Sequence, residues 1–175
     1  MTEGQQLYFE DVTEGMLLPA LEKTPSNTLL FLYSSITWNP QRIHFDKGFT
    51  QGEGYRDIVV HGPLRGAFLS QLLTRWIGAG GVLKKLSYAN RDIAYVNEPL
   101  VCNGRVVKKW REQNEQAEQA AGYVECEVWI ENRQGTRLTP GSATVILPLR
   151  ASQAENASAG RSLHGETRPH TYSHL

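Results

Sequence analysis

The stretch HGPLRGAFLSQLLTRWIGAGG, residues 61–81, most restricts what this chain can become. It is the one long helical pattern in the sequence. Pro63 stands where a helix can start without losing a needed N–H. Leu64, Phe68, Leu72, Leu73 and Ile77 recur mainly on one face, while Gly66 and Ala67 keep part of the helix surface small. Gly78, Gly80 and Gly81 then end it. Beyond it the period changes. LSYANRDIAYVNEPLVCNGRVVKKW, YVECEVWIEN and TRLTPGSATVILPL are rich in Val, Ile, Tyr, Trp and Thr and are separated by turn residues. NRQG, residues 132–135, reads as a hairpin turn. A single long helix followed by about four strands predicts an α+β domain with the helix laid on an antiparallel sheet.

Ahead of that helix, LYFEDVTEGMLLP starts extended and breaks at Gly15 and Pro19. TPSNTLLFLYSSIT predicts a short helix capped by Thr24 or Ser26, with Leu29, Leu30, Leu32 and Tyr33 at helical spacing. Residues 37–57 read as irregular, punctuated by Pro40, Gly48, Gly52 and Gly54. EQNEQAEQAA, residues 112–121, reads as an exposed connection between strands. The predicted domain runs over residues 1–150. Residues 151–175 lack core-forming side chains and read as a polar, flexible tail, whose His164, His170 and His174 have no metal-binding rhythm.

Composition narrows the function classes. Eighteen basic residues balance eighteen acidic ones, so no overall field draws nucleic acid or an anionic membrane; Arg105 to Arg111 is a local basic cluster. No run approaches the roughly 20 apolar residues that span a bilayer, and the N-terminus has no basic-then-apolar leader. Cys102 and Cys126 fit no metal spacing and read as buried free thiols of a reducing compartment. The expectation is a cytoplasmic protein that needs neither metal nor cofactor.

Chemistry concentrates in TWNPQRIHFD, residues 37–46. His44 can serve as general base or acid, since imidazole titrates nearest neutral pH. The Asn39-Pro40 turn folds residues 37–39 back toward it. Asn39 could orient a water or a carbonyl, and Thr37 could do the same through its hydroxyl. Asp46 fits a local turn cap better than a catalytic partner. At 61–63, His61-Gly62-Pro63 opens the long helix, where unpaired amides of Gly62, Leu64 and Arg65 can face developing negative charge. There is no Gly-x-Ser-x-Gly, no phosphate loop and no dinucleotide fingerprint.

SSITWNPQRIHFD, GYRDIVVHGPLRGAFLSQLL and RDIAYVNEPLVCNGRVV, in that order, resemble the MaoC-like hot-dog proteins, which include R-specific enoyl-CoA hydratases and 3-hydroxyacyl thioester dehydratases. The branch with mesaconyl-C4-CoA hydratases is the most similar. The resemblance covers residues 7–149 and implies a hot-dog fold, a long helix wrapped by an antiparallel sheet. It implies reversible hydration of an enoyl thioester of CoA or acyl carrier protein, with His44, Asn39 and Gly62 as catalytic residues. Thr37, His61 and Leu64 would lie at the substrate. It also implies a homodimer, or a heterodimer with another hot-dog subunit. The chain departs from the family's pattern in one place: Thr37 stands where the better-known hydratases carry an aspartate, and two extra residues precede His44. Two alternatives stay open: an acyl thioesterase drawing on Asp46, Glu53 or Asp57, and a non-catalytic partner subunit. The RDIAYVNEPLVCNGRVV run is expected at a sheet edge, where a second copy would pair.

Overall fold

The computed structural model describes residues 6–112 and 121–150. The expected connection at 113–120 and the tail at 151–175, with its three histidines, lie outside the described residues. After a short 3-10 turn at Phe9–Asp11, the elements in chain order are β1 (Leu21–Lys23), α1 (Asn27–Ile36), a second 3-10 turn (Arg42–His44) and α2 (Lys47–Gly52). Then come α3 (Gly62–Ile77), β2 (Val82–Tyr88), β3 (Leu100–Glu112), β4 (Ala121–Asn132) and β5 (Arg137–Leu147). The strands form one antiparallel sheet in the order β1-β3-β4-β5-β2.

Local chemistry explains the helix ends. The Ser26 hydroxyl accepts from the Leu29 amide and starts α1. Gly78, at φ 72°, ends α3 in a backbone region that costs side chains dearly. Along β3, Leu100, Cys102, Gly104 and Val106 turn inward while Arg105 and Val107 turn out, the two-residue alternation of a half-covered sheet. The β3–β4 register sets Cys102 opposite Ile130 and Val106 opposite Cys126. Asn132 and Gly135 close the β4–β5 hairpin, as expected from NRQG.

α3 packs against β2, β3, β4 and β5, so the sheet curls around it. Leu64, Phe68, Leu69, Leu72, Leu73, Trp76 and Ile77 are all buried, and Leu69 and Leu73 lose all exposure. At about 1.5–3 kcal/mol for each large apolar side chain taken from water, this helix anchors the core. It can lie so close because Gly66 faces the Tyr88 ring, which an added methyl would meet at 2.2 Å.

Three expectations need correction. LYFEDV is not a strand; Phe9–Asp11 form a 3-10 turn, and the first strand is Leu21–Lys23. The 37–57 segment is ordered by the Arg42–His44 turn and by α2, because Asp46 caps α2 by accepting from the Phe49 amide at 3.0 Å. The run RDIAYVNEPLVCNGRVV does not reach an edge: β3 lies between β1 and β4, and the outer strands are β1 and β2. Periodicity reports which face of a strand is buried but not which neighbours it takes.

Candidate active site

The site is built where the 37–61 segment crosses the start of α3. Two backbone bonds close the end of α1, from the Thr37 amide to the Tyr33 carbonyl and from the Asn39 amide to the Ser34 carbonyl. Between them Trp38 takes φ 50°, a left-handed turn that reverses the chain into Asn39-Pro40. The segment is then pinned. Arg42 pairs with Asp46 at 2.7 Å. The Thr50 hydroxyl donates to the carbonyls of Asp46 at 2.7 Å and Ile43 at 3.2 Å. The Val59 amide donates to the Ile43 carbonyl at 3.0 Å.

This scaffold places His44 with little freedom. Its Nδ1 lies 2.7 Å from the Val59 carbonyl oxygen, which can only accept. Nδ1 therefore carries the proton, and Nε2 presents a lone pair. His44 is buried, at 7 % exposure, and burial holds its pKa below the ordinary imidazole value of 6.5, although the Val59 carbonyl pulls the other way. At neutral pH such a group is an unprotonated base. Against its face lies His61, ring centroids 3.7 Å apart and planes 22° apart. His61 is fully buried, with Nε2 2.8 Å from the Ser34 hydroxyl and the Tyr33 ring edge-on at 4.8 Å. Burial and the neighbouring His44 press its pKa down to about 4.

Gly62 is the first residue of α3, directly after His61, and its amide has no acceptor within the helix, whereas the Arg65 amide, expected to be unpaired, donates to the His61 carbonyl at 3.2 Å. A methyl on Gly62 would meet the Asn90 carboxamide nitrogen at 2.4 Å, so Asn90 rests over the helix start. Leu64 is a core residue at 5 % exposure. Asn39 is partly exposed, its side-chain oxygen at 3.5 Å from the Gln41 amide. Thr37 is exposed, and its hydroxyl donates to the Tyr33 carbonyl at 2.6 Å. A cleft of about 340 Å3 is lined by Phe31, Ser34, Ser35, Trp38, Pro40 and Phe45, and by neither histidine. It touches the residue that holds His61 and the one that follows His44.

Sequence reasoning missed Ser34, Tyr33, Val59 and Asn90. Ser34 left one trace: it lies four residues after Leu30, on the buried face of α1. Nothing in the sequence marks the Val59 carbonyl, because any residue would supply it. Two of the three carboxylates considered for hydrolysis are otherwise engaged: Asp46 caps α2, while Asp57 accepts from the Ile58 amide and from Lys47; Glu53 is exposed. Cys102 and Cys126 are buried, free and pushed up to about 12, which makes them inert thiols. The two arginines of the basic cluster are neutralised, Arg105 by Glu127 and Arg111 by Glu10, while Lys109 donates to the carbonyls of Phe9 and Val12. No helix among the described residues is long and apolar enough to cross a membrane, and they hold no cluster of metal-ligating side chains.

Residues 18–96 match the sequence model of the family hydroxyacyl-thioester dehydratase type 2. A mesaconyl-C(4)-CoA hydratase of Chloroflexus aurantiacus is 47 % identical over 49 residues, 27 % of this chain and 18 % of that protein. The mitochondrial hydroxyacyl-thioester dehydratase type 2 of Saccharomyces cerevisiae is 32 % identical over 69 residues, 39 % of this chain and 24 % of that one. The matched segments thus amount to about a fifth to a quarter of those relatives. The solved structure of the R-hydratase PhaJ1 from Pseudomonas aeruginosa superposes with a TM-score of 0.73 at 16 % identity, covering 97 % of this chain and 99 % of that one. A helix wrapped by a curled antiparallel sheet, with this likeness, is the hot-dog fold. The 18–96 segment is thus similar to the hydroxyacyl-thioester dehydratase type 2 family and to the two hydratase and dehydratase relatives, and the chain has the hot-dog fold.

Proposed function

We propose that the protein catalyses reversible hydration of a trans-2-enoyl thioester of CoA or acyl carrier protein, as a hydro-lyase of acyl metabolism. The observation that carries this reading is His44, with Nδ1 tied to the Val59 carbonyl and Nε2 left as a base beside the start of α3. In the hydration direction Nε2 takes a proton from water as the oxygen bonds to the β-carbon, and the resulting imidazolium gives that proton to the α-carbon, so H and OH add across the double bond and His44 ends neutral. Negative charge gathers on the thioester oxygen in between, and the Gly62 N–H stabilises it at the positive end of α3. Asn39 orients the water. Thr37 stands at the rim of the substrate path, and His61 and Leu64 belong to its wall.

Thr37 cannot act as the aspartate it replaces, since a threonine hydroxyl does not titrate near neutral pH. His44 carries the base role alone, and the burial that keeps it neutral makes that workable. No metal or cofactor enters this scheme. The assembly we propose is a homodimer, with a heterodimer beside a second hot-dog chain as the alternative, and the compartment we propose is the cytoplasm.

The test is direct. Purified protein with crotonyl-CoA or mesaconyl-C4-CoA should show loss of enoyl absorbance and a 3-hydroxyacyl product. Removing a general base typically costs ~10²–10⁴ in rate, so His44→Ala should fall by that order. Full activity in His44→Ala would sink the assignment, as would release of free CoA thiol without a hydroxyacyl product.

A further inference from the structure

His61 is a buried titratable side chain to which the proposed reaction gives no chemical task. It is fully buried between three partners: the Tyr33 ring on one side, the His44 ring on the other, and the Ser34 hydroxyl at its Nε2. Its Nδ1 is buried and has no partner among the described residues. A neutral imidazole carries one N–H. Placed on Nδ1, that proton would be a buried donor with no acceptor, the costlier kind of orphan. We therefore assign it to Nε2, donating to the Ser34 oxygen, so Ser34 fixes both the ring plane and the tautomer.

We propose that His61, held by Ser34 of α1, is a positioning residue that sets the plane of the His44 imidazole and keeps it a neutral base. This rests on the reading of His44 as the base. The geometry gives the reason. A ring stacked at 3.7 Å and 22° leaves His44 no room to rotate about its Cβ–Cγ bond and excludes water from that face. The Val59 carbonyl fixes the opposite degree of freedom by holding Nδ1. Together they aim Nε2. The plate has to be uncharged, since His44 becomes an imidazolium during each turnover and a second cation at stacking distance in a buried site would oppose it. The groups facing the pair are Tyr33 and Ser34 from α1 and the Val59 carbonyl from the chain before α3. The nearby charges on the same loop, Arg42 and Asp46, are largely neutralised against each other.

The experiment compares Ser34→Ala, Ser34→Thr, His61→Gln and His61→Phe in the full chain. Two readouts are needed: NMR titration of the His44 ring nitrogens, and kcat and KM on crotonyl-CoA. Ser34→Ala should lower kcat by about tenfold and leave KM within about twofold, the pattern of a misaimed catalytic group. Its His44 titration midpoint should move up toward 6.5, and Ser34→Thr, which keeps the hydroxyl, should restore both. His61→Phe, which keeps a flat ring, should retain more of kcat than His61→Gln, which keeps a hydrogen-bonding group but no plate. An unchanged His44 titration and unchanged kcat in both Ser34→Ala and His61→Gln would overturn the proposal. Should His61→Gln not fold, the Ser34 pair decides, since it leaves the aromatic packing in place. Absence of turnover in the unaltered protein would remove the hydratase reading, while the NMR comparison would still decide whether His61 positions His44.

Discussion

Histidine is the position type on which this protein turns, and burial sets how each one behaves. His61 carries a folded pKa of about 4 against an ordinary 6.5. The unfolded chain therefore binds the proton more tightly than the folded one between those values. Stability rises with pH where the unfolded state holds more protons, so the contribution is present above about 6.5 and is lost as pH falls toward 4. A shift of that size corresponds to something on the order of 3 kcal/mol. Urea midpoints measured from pH 7 down to pH 4 should fall steadily, and the fall should be shallower in His61→Phe, though not absent, since His44 shifts in the same direction. The rate profile should follow His44: kcat/KM should drop on the acid side with a midpoint below 6.5. A midpoint at or above 6.5 would show that the base is not this buried imidazole.

Between α3 and β2 the decisive contact involves a missing side chain. Alanine normally favours a helix over glycine by up to about 1 kcal/mol. At Gly66 that gain is opposed, because a methyl would sit 2.2 Å from the tip of the partly exposed Tyr88 ring, which must move aside. Gly66→Ala should destabilise the protein by about 1–3 kcal/mol through overpacking. Combining it with Tyr88→Ala should cost less than the sum of the two single changes, which denaturant titration of the double-mutant cycle would measure. Additive losses would mean that the helix and strand adjust independently. The same segment order that brings β2 against α3 also brings Asn90 over Gly62, so this packing reaches the site.

Among the described residues the sheet is open. Its outer strands are the three-residue β1 and the seven-residue β2, and one side of β2 lacks a strand neighbour among the described residues. Unpaired edges of that length invite another chain, and most homo-oligomers close as two-fold dimers. Light scattering at micromolar concentration should give about twice the 19.6 kDa chain mass. Hydrogen exchange should find the outward amides of β2 protected at high concentration and released on dilution. A mass near one chain, with activity retained, would show the dimer to be wrong.

How much of this was legible beforehand differs by residue. The α3 helix, the Ser26 cap, the Asn132–Gly135 turn and the four later strands follow from local preferences: hydrophobic period, capping oxygens and glycines suited to positive φ. Those forces act within a few residues, so a linear reading finds them. His44 and Gly62 were also visible, because a histidine after an Asn-Pro turn and a glycine before a helix are local patterns. The strand order was not, since β3 takes its place beside β1 through a pairing of distant residues, such as Leu21 with Cys102. Nor were the partners of the histidines. Ser34 and His61 are 27 residues apart, and Val59 holds His44 through a backbone oxygen that has no residue identity. Tertiary packing alone decides such contacts, because it brings distant groups to stacking and hydrogen-bonding distance and removes the water that would otherwise level their pKa values.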